Sequence, residues 1–340
     1  MLEPDEKVIR EFNDRGLIWF LESNANLRDL MKMLATEIAE KLDFSRAVRL
    51  NRSFIPQNLY KQEADMLYSV PFLEQEGEVI VYLLLEHQSA PDSMMGFRFL
   101  SYLVEIWKEQ IRLWQDMPTP RKTLELNPVV PILLYTGEDA WTRPVSVGTL
   151  MNLPHLLEPF VPKFDLILLN LIDLQTEELL ETKTAISSIF HALKFANAPI
   201  EVLENVMRQT VANLERLPEQ QQEWRRAMHF ILLLIRHKRR PEERAGLFEQ
   251  VTESVTVRQR KEVSDMFQTD AQFLEEKGRM EGRVEGRVEG MRRSFLKQLR
   301  HKFSPLPNSV EGKVGVMPEE ELDVLTVKML DSASLQELGL

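Results

Sequence analysis

Gln62-Glu63-Ala64-Asp65-Met66-Leu67, followed after an acidic turn by Val79-Ile80-Val81-Tyr82-Leu83-Leu84-Leu85-Glu86-His87-Gln88, is the stretch that decides the fold. An almost unbroken apolar run of strand length ends in a carboxylate, and a second carboxylate sits on the preceding segment. The turn between them, Glu74-Gln75-Glu76-Gly77, is polar and closes in glycine, which reads as a hairpin. With the hairpin centred between Gln75 and Glu76, Asp65 falls opposite Glu86, because each is equally far from the turn. Directly opposed Cβ atoms lie about 5 Å apart. Carboxylates that close repel one another, so the arrangement calls for a proton or a cation between them. A hard divalent metal suits oxygen donors. Val79 to Leu85 is apolar on both alternating faces, so this strand is predicted to be central in a sheet covered on both sides.

Toward the start, residues 7 to 42 carry two helical apolar faces. Ile9, Phe12, Leu17, Ile18 and Phe20 come first; after a break at Ser23-Asn24 follow Leu27, Leu30, Met31, Leu34, Ile38 and Leu42. A strand-like stretch from Val48 to Ile55 leads to Pro56. In the other direction, Pro91-Asp92-Ser93 reads as a helix start, with Asp92 or Ser93 able to cap, and the helix is predicted to run to about Gln115. Phe97, Leu100, Leu103, Val104, Ile106 and Trp107 are expected to form its buried surface. Val129 to Tyr135 is a further strand and contains Pro131. Proline donates no ladder hydrogen bond, so that position is expected at an edge, a strand start or a bulge. Asp165 to Leu171 is the last clear strand. From about Leu174 onward the chain reads as helix, over 177 to 196, 201 to 217 and 219 to 238, which confines the chemistry to the first half.

One internal repeat occurs: Gly278-Arg-Met-Glu281, Gly282-Arg-Val-Glu285, Gly286-Arg-Val-Glu289, then Gly290. On a helix a four-residue period stacks glycine, arginine and glutamate into separate stripes. Each glycine costs about 1 kcal/mol against alanine, and like charges at i,i+4 add a few tenths. Such a helix needs support from outside, most simply a second copy approaching along the glycine stripe; the alternative is a charged linker. The basic cluster Arg292, Arg293, Lys297, Arg300, His301 and Lys302 follows, interleaved with Phe295 and Leu296. It reads either as an amphipathic helix touching nucleic acid or as a solvated face.

The 340-residue chain suggests about two domains with a developed core. It has no cysteine, which excludes disulfides, thiolate zinc sites and cysteine nucleophiles. No stretch of about 20 apolar residues appears, and Met1 to Arg10 is too charged for a signal peptide, so a cytoplasmic protein with no membrane partner is expected. The net charge of -11 argues against a broad polyanion-binding surface while leaving room for a local groove or a phosphate-screening metal. No nucleotide loop, Gly-x-Ser-x-Gly or Gly-x-Gly-x-x-G is present, and the histidines lack metal-ligand spacing.

Glu86 and Gln88 are two apart and share a face on a strand, and in the proposed register Asp65 points the same way. Asp65 and Glu86 can then hold a metal ion, with the backbone carbonyl of His87 as a third oxygen. Magnesium in such a place keeps several waters and reaches for substrate phosphate. It lowers the pKa of a bound water and stabilises charge growing on phosphorus. Carboxylates standing at strand ends in solvent are the plainer reading of the same spacing. His87, one residue out of phase, is expected on the opposite side of the sheet in a packed or hydrogen-bonded role. Arg98 and Tyr102, four apart on the following helix, share a face and are candidates for phosphate contact or for supporting the carboxylates. Asp14 on the first helix could approach the site, and Tyr135-Thr136-Gly137 either borders the cleft or forms a plain turn.

Ala64-Asp65-Met66-Leu67, then Tyr82-Leu-Leu-Leu-Glu86-His87-Gln88-Ser-Ala-Pro-Asp92, then Met95-Gly-Phe-Arg98-Phe-Leu-Ser-Tyr102-Leu-Val-Glu-Ile-Trp107 closely resembles the recombination-promoting nuclease and putative transposase family of the PD-(D/E)XK nuclease superfamily. The likeness continues through Asp14-Arg15, Leu42-Asp43-Phe44-Ser45 and Pro131-Ile-Leu-Leu-Tyr-Thr-Gly137 with Trp141, over roughly residues 10 to 200. The resemblance implies that Asp65 is the motif aspartate and Glu86 the second acid. It places Gln88 where the superfamily consensus has lysine. It further implies metal-dependent cleavage of DNA, with Mg2+ or Mn2+ as cofactor. Lysine would bring a positive charge to the hydroxide and the transition state, whereas glutamine brings only a dipole and hydrogen bonds. Slower chemistry or a stricter need for the metal is the expected result. The C-terminal segment resembles a small domain often attached to these nucleases.

The expectation is an α/β protein: a PD-(D/E)XK restriction-endonuclease-like core with a mixed central sheet flanked by helices, then an all-helical C-terminal half. Its domains are a nuclease-like domain at 1–200, a helical region at 201–275 and a helical C-terminal domain at 276–340 with the Gly-Arg-x-Glu repeat. The expected activity is that of a Mg2+-dependent DNA endonuclease linked to recombination or mobile elements, with Asp65, Glu86 and Gln88 as catalytic residues. Homo-oligomers are expected through residues 278–290. The alternative is a weak or inactive DNA-binding or assembly protein that keeps the fold, and RNA as substrate is a further rival.

Overall fold

In the computed structural model, α1 (Phe12–Leu21) and α2 (Asn24–Leu34) come first, divided at Ser23, whose hydroxyl accepts from the Asn26 N–H and caps α2. The break expected at Ser23-Asn24 is thus a helix start. After the short α3 (Thr36–Ala39), Asp43 caps a single 3₁₀ turn, Phe44–Arg46, accepting from the Ser45 N–H (3.1 Å) and from Arg46 Nε (2.6 Å). Then come β1 (Val48–Arg49), β2 (Asp65–Pro71), β3 (Glu78–Glu86), α4 (Met95–Gln115), β4 (Val129–Tyr135) and β5 (Ile167–Asn170). The structure describes residues 12–50, 65–74, 77–86, 92–117, 124–137, 140–142, 145–152, 154–217, 221–303, 306–315 and parts of 317–339. Among these, the side chains of 13, 14, 65, 83–86, 221, 270–289, 308, 309, 311 and 336 are not described.

The sheet runs β1-β2-β3-β4-β5, antiparallel from β1 to β3 and parallel from β3 to β5, which is the mixed α/β architecture the sequence predicts. β3 is central, and Val81 and Tyr82, neighbours pointing to opposite faces, are both fully buried. One face packs Leu67, Ile80, Tyr82, Leu133 and Tyr135 against Met95, Phe99, Tyr102 and Ile106 of α4. On the other, the Tyr68 hydroxyl donates to the Leu21 carbonyl (3.2 Å).

The hairpin register differs from the expectation. Pro71 pairs with Glu78 and Asp65 with Leu84, so the ladder is symmetric about the Glu74–Gln75 junction, one residue earlier than expected. The cause lies at both ends of the turn. Leu73, although apolar, leaves the ladder and donates to the Lys41 carbonyl (2.9 Å), while Gly77, at φ 105°, stays in it and accepts from the Phe72 N–H (3.2 Å).

Pro131 is not on an outer strand, because β4 lies between β3 and β5. The Ile80 N–H donates to the Pro128 carbonyl (2.9 Å), a phase that turns the even-numbered β4 amides toward β3. Position 131 faces the other flank, which β5 pairs only from Ile132 onward. The missing donor therefore sits where no partner strand asks for it. The surface of α4 also departs from expectation. Leu103 and Ile106 are buried, but Phe97 and Val104 are exposed and Leu100 and Trp107 only half-buried.

Helices follow: α5 (Thr176–Glu181), α6 (Ala185–Lys194), α7 (Ile200–Leu214), α8 (Gln221–Lys238), α9 (Pro241–Ser254) and α10 (Val257–Lys302). The expected helix over 177–196 is two helices, because Thr184 accepts from the Ser187 N–H (3.3 Å) and starts a new one. Phe230 of α8 packs edge-on to Phe12 and Phe20 of α1, at 4.9 and 5.7 Å between ring centres. Several cations in this half end on main-chain carbonyls. Arg226 donates to Trp19 and lies 4.9 Å over its ring, Arg236 donates to Phe267 (3.0 Å), and Arg239 to Ala196 and Ala198 (3.1 and 2.9 Å).

The chain divides into two compact units, 1–270 and 271–340. In the second, Phe295 and Leu299 of α10 pack with Val310 and Val314 of α11 (Asn308–Gly315) and with Leu338 of α12 (Leu335–Leu338). Arg292 donates twice to the Met317 carbonyl (3.0 and 2.8 Å) and Lys302 to that of Met329 (2.6 Å), so two members of the basic cluster fasten this unit internally. The Gly-Arg-x-Glu repeat lies within α10, among residues whose side chains are not described.

Candidate active site

Asp65 opens β2 and Glu86 closes β3, and because these strands are antiparallel both positions lie at the same end of the sheet. Asp65 pairs with Leu84, two residues before Glu86, so positions 65 and 86 are diagonal neighbours on one face. Their Cα atoms are then roughly 7–8 Å apart. Glu86 is in register with Tyr135, the last residue of β4, and Tyr135 with Asn170, the last of β5. A row of strand ends, 86, 135 and 170, thus lines the carboxyl edge of the parallel part of the sheet, where open α/β sheets collect ligands.

Aromatic packing backs this row. Tyr82, two steps below Glu86 on the same face, meets the rings of Phe99 (5.7 Å) and Tyr102 (5.5 Å), and Tyr135 meets Trp141 edge-on at 5.0 Å. Beyond the strand, Asp92 ties down the start of α4, accepting from the Met94 N–H (2.7 Å) and from Arg98 (2.9 Å). Asp92 thus acts just ahead of the N-cap residue, which is Met94. Arg98 also points to the Tyr102 hydroxyl at 3.4 Å. Arg98 and Tyr102 therefore share a face, with Tyr102 buried and Arg98 partly exposed.

His87 and Gln88 lie outside the described residues, and Asp65, Glu86 and Asp14 are described by their backbone alone. Tyr135 ends β4 in register with position 86 and is fully buried. Asn170 was given no role from sequence. It is buried, its amide nitrogen donates to Asp173 (2.8 Å), and its side-chain oxygen has no partner. Only its place at the end of a strand could have drawn notice, and that signal is weak.

The profile of the family described as "Putative transposase, YhgA-like" matches residues 13–225, well over half of the chain. The chain belongs to the YhgA-like putative transposase family. The matched span covers the whole sheet and the first helices that follow it. Curated proteins with similar sequences include Recombination-promoting nuclease RpnC of Escherichia coli (strain K12), 32% identical over 129 residues, or 38% of this chain and 39% of that protein. Recombination-promoting nuclease RpnD of Escherichia coli O157:H7 is 29% identical over 119 residues, 35% of this chain and 42% of that one. Inactive recombination-promoting nuclease-like protein RpnE of Escherichia coli (strain K12) is 31% identical over 120 residues, 35% of this chain and 37% of that one. The chain spans about two fifths of the length of these curated relatives. No solved structure matches it significantly.

No helix among the described residues is long and apolar enough to cross a membrane.

Proposed function

We propose that this family member is a metal-dependent DNA endonuclease of the cytoplasm, acting in recombination or on mobile elements. The observation that carries the reading is the placement of positions 65 and 86 on one face, at the carboxyl edge of the parallel strands. The donor set fits a hard cation, being two carboxylates and, at residue 87, a main-chain carbonyl, all oxygen. Asp65, Glu86 and the His87 carbonyl would hold Mg2+ or Mn2+. Once bound, the ion supplies an acidified water and a positive charge against the scissile phosphate. Gln88 positions a water or the phosphate through its amide, standing in for a lysine without its charge. Tyr82 and Tyr102 keep the floor of the site apolar and rigid, and Asp92 holds Arg98 in reach of a phosphate arriving over the start of α4. Residues 278–290 join copies of the chain through the glycine stripe of the repeat.

A second reading, a weak or inactive DNA-binding or assembly protein, draws on the glutamine at 88 and on the relative whose name marks it inactive. Plasmid cleavage with added Mg2+ separates the two. The nuclease reading expects nicking that chelation stops, that Asp65→Asn and Glu86→Gln each abolish with circular dichroism unchanged, and that Gln88→Ala slows. Binding of DNA without any metal-dependent cleavage in the parent chain would establish the second reading.

A further inference from the structure

The helix α4 has two apolar faces. Phe99, Tyr102 and Ile106 go into the sheet, while Phe97, Leu100, Val104, Trp107, Ile111 and Trp114 form a second stripe. The spacing of that stripe alternates three and four, the pattern that faces another helix. Among the described residues nothing covers it fully: Phe97 is 49% exposed and Val104 41%, while Trp107 is half-buried and its Nε1 donates to the Asn127 carbonyl (3.3 Å). At its border the chain crosses Gly96 so closely that a Cβ there would come within 2.7 Å of the Val145 carbonyl oxygen. From this crossing an arm extends. Every described residue from Thr149 to Phe160 is exposed, Leu156 at 83% and Phe160 at 82%, with Leu150, Met151 and Leu157 also open to solvent.

Large apolar side chains carry roughly 150–250 Å² apiece. By their exposed fractions, the arm together with Met94, Phe97 and Val104 offers roughly 800 Å², what each partner gives to a standard interface. The largest apolar patch on an ordinary monomer is about 300–600 Å². Residues 145 to 162 contain no lysine or arginine, which makes the arm a poor match for nucleic acid or an anionic bilayer. The stripe itself points to its occupant. Phe97 and Trp114, Leu100 and Ile111, and Val104 and Trp107 are each equidistant from the Glu105–Ile106 junction, so the pattern reads alike in both directions. An antiparallel copy of α4 would meet apolar residues at every step, as an isologous two-fold contact requires.

We propose that the outer stripe of α4 and the adjoining arm form a self-association surface. Two copies of the chain pack across a two-fold axis near the Glu105–Ile106 junction, independently of residues 278–290. The chain lacks cysteine, so Val104→Cys places a single thiol beside the axis of the full-length protein. A short bismaleimide linker is expected to join two such chains at least tenfold more efficiently than two Glu105→Cys chains, whose thiol lies at the same level on the polar side. Adding Leu156→Asp and Phe160→Asp, both on exposed side chains, is expected to cut the Val104→Cys product at least tenfold with circular dichroism unchanged. Equal yields from the two thiols would overturn the proposal. So would no product from Val104→Cys, whether the chain sediments as a monomer at tens of micromolar or associates through 278–290 alone.

Discussion

Asp65 lies across from Leu84 in the β2–β3 ladder, yet it shares a face with Glu86 two residues further on. A strand changes sides at every residue, so a slip by an even number moves a partner along the sheet without turning it over. An odd slip would have sent one acid to the α1 side. The register is held at Gly77, whose φ of 105° a side chain tolerates poorly. Gly77→Ala is expected to cost roughly 1–2 kcal/mol. On the proposed endonuclease reading it should also lower cleavage in proportion to lost fold, which paired urea melts and activity assays would show.

Arg98 is held by Asp92 at 2.9 Å with both side chains partly exposed. If Arg98 also meets a phosphate, Arg98→Ala should weaken DNA binding and reduce the slope of log K against log salt by about 1. Asp92→Asn removes the brace and leaves the charge, so it should loosen binding with the slope intact. Identical slopes in both variants would make the pair purely structural.

Gly96 passes beneath Val145 and Ser146 with room for hydrogen alone. A methyl group there meets backbone, which cannot swing away. Gly96→Ala is expected to cost about 1–3 kcal/mol, read as a fall of several degrees in melting temperature. The same change at Gly246, with open space around it, should do no harm beyond a helix-propensity gain.

His191 and His229 are both buried, and burial, aided by Lys194 and Arg225 respectively, pushes each imidazole down to about 4. Above pH 6.5 neither state binds the proton, so stability is unaffected. Between 6.5 and 4 the unfolded chain takes up protons that the folded chain refuses, and stability must fall as pH falls, by up to about 3 kcal/mol per histidine. Urea midpoints measured from pH 7.5 to 4.5 should trace this loss, and His191→Gln should flatten part of it. The Thr210 hydroxyl, 2.8 Å from His191 Nδ1, offers the glutamine a partner.

Much of this was legible in the chain itself. The apolar run 79–85, bare of polar residues on both faces, announced a central strand, and Ser23-Asn24 announced a break between two helices. What escaped was anything decided by a neighbour. Leu73 reads as ladder and leaves it, because the Lys41 carbonyl takes its N–H. Phe97 and Val104 read as core, because apolar spacing gives no hint of which stripe meets the sheet. Asp65 and Glu86 were singled out by hairpin spacing and by resemblance, and their positions keep a common face because the ladder differs from the expected one by two places. Asn170 carried only the weak signal of a strand end until β5 set it beside Tyr135.

The cations that end on carbonyls carry one more consequence. Arg226, Arg239 and Arg292 spend donors on the protein's own main chain, so each keeps its charge but has fewer N–H groups left to offer a phosphate. Counting basic residues therefore overstates how many direct phosphate contacts the chain can make, and with them the steepness of any salt dependence.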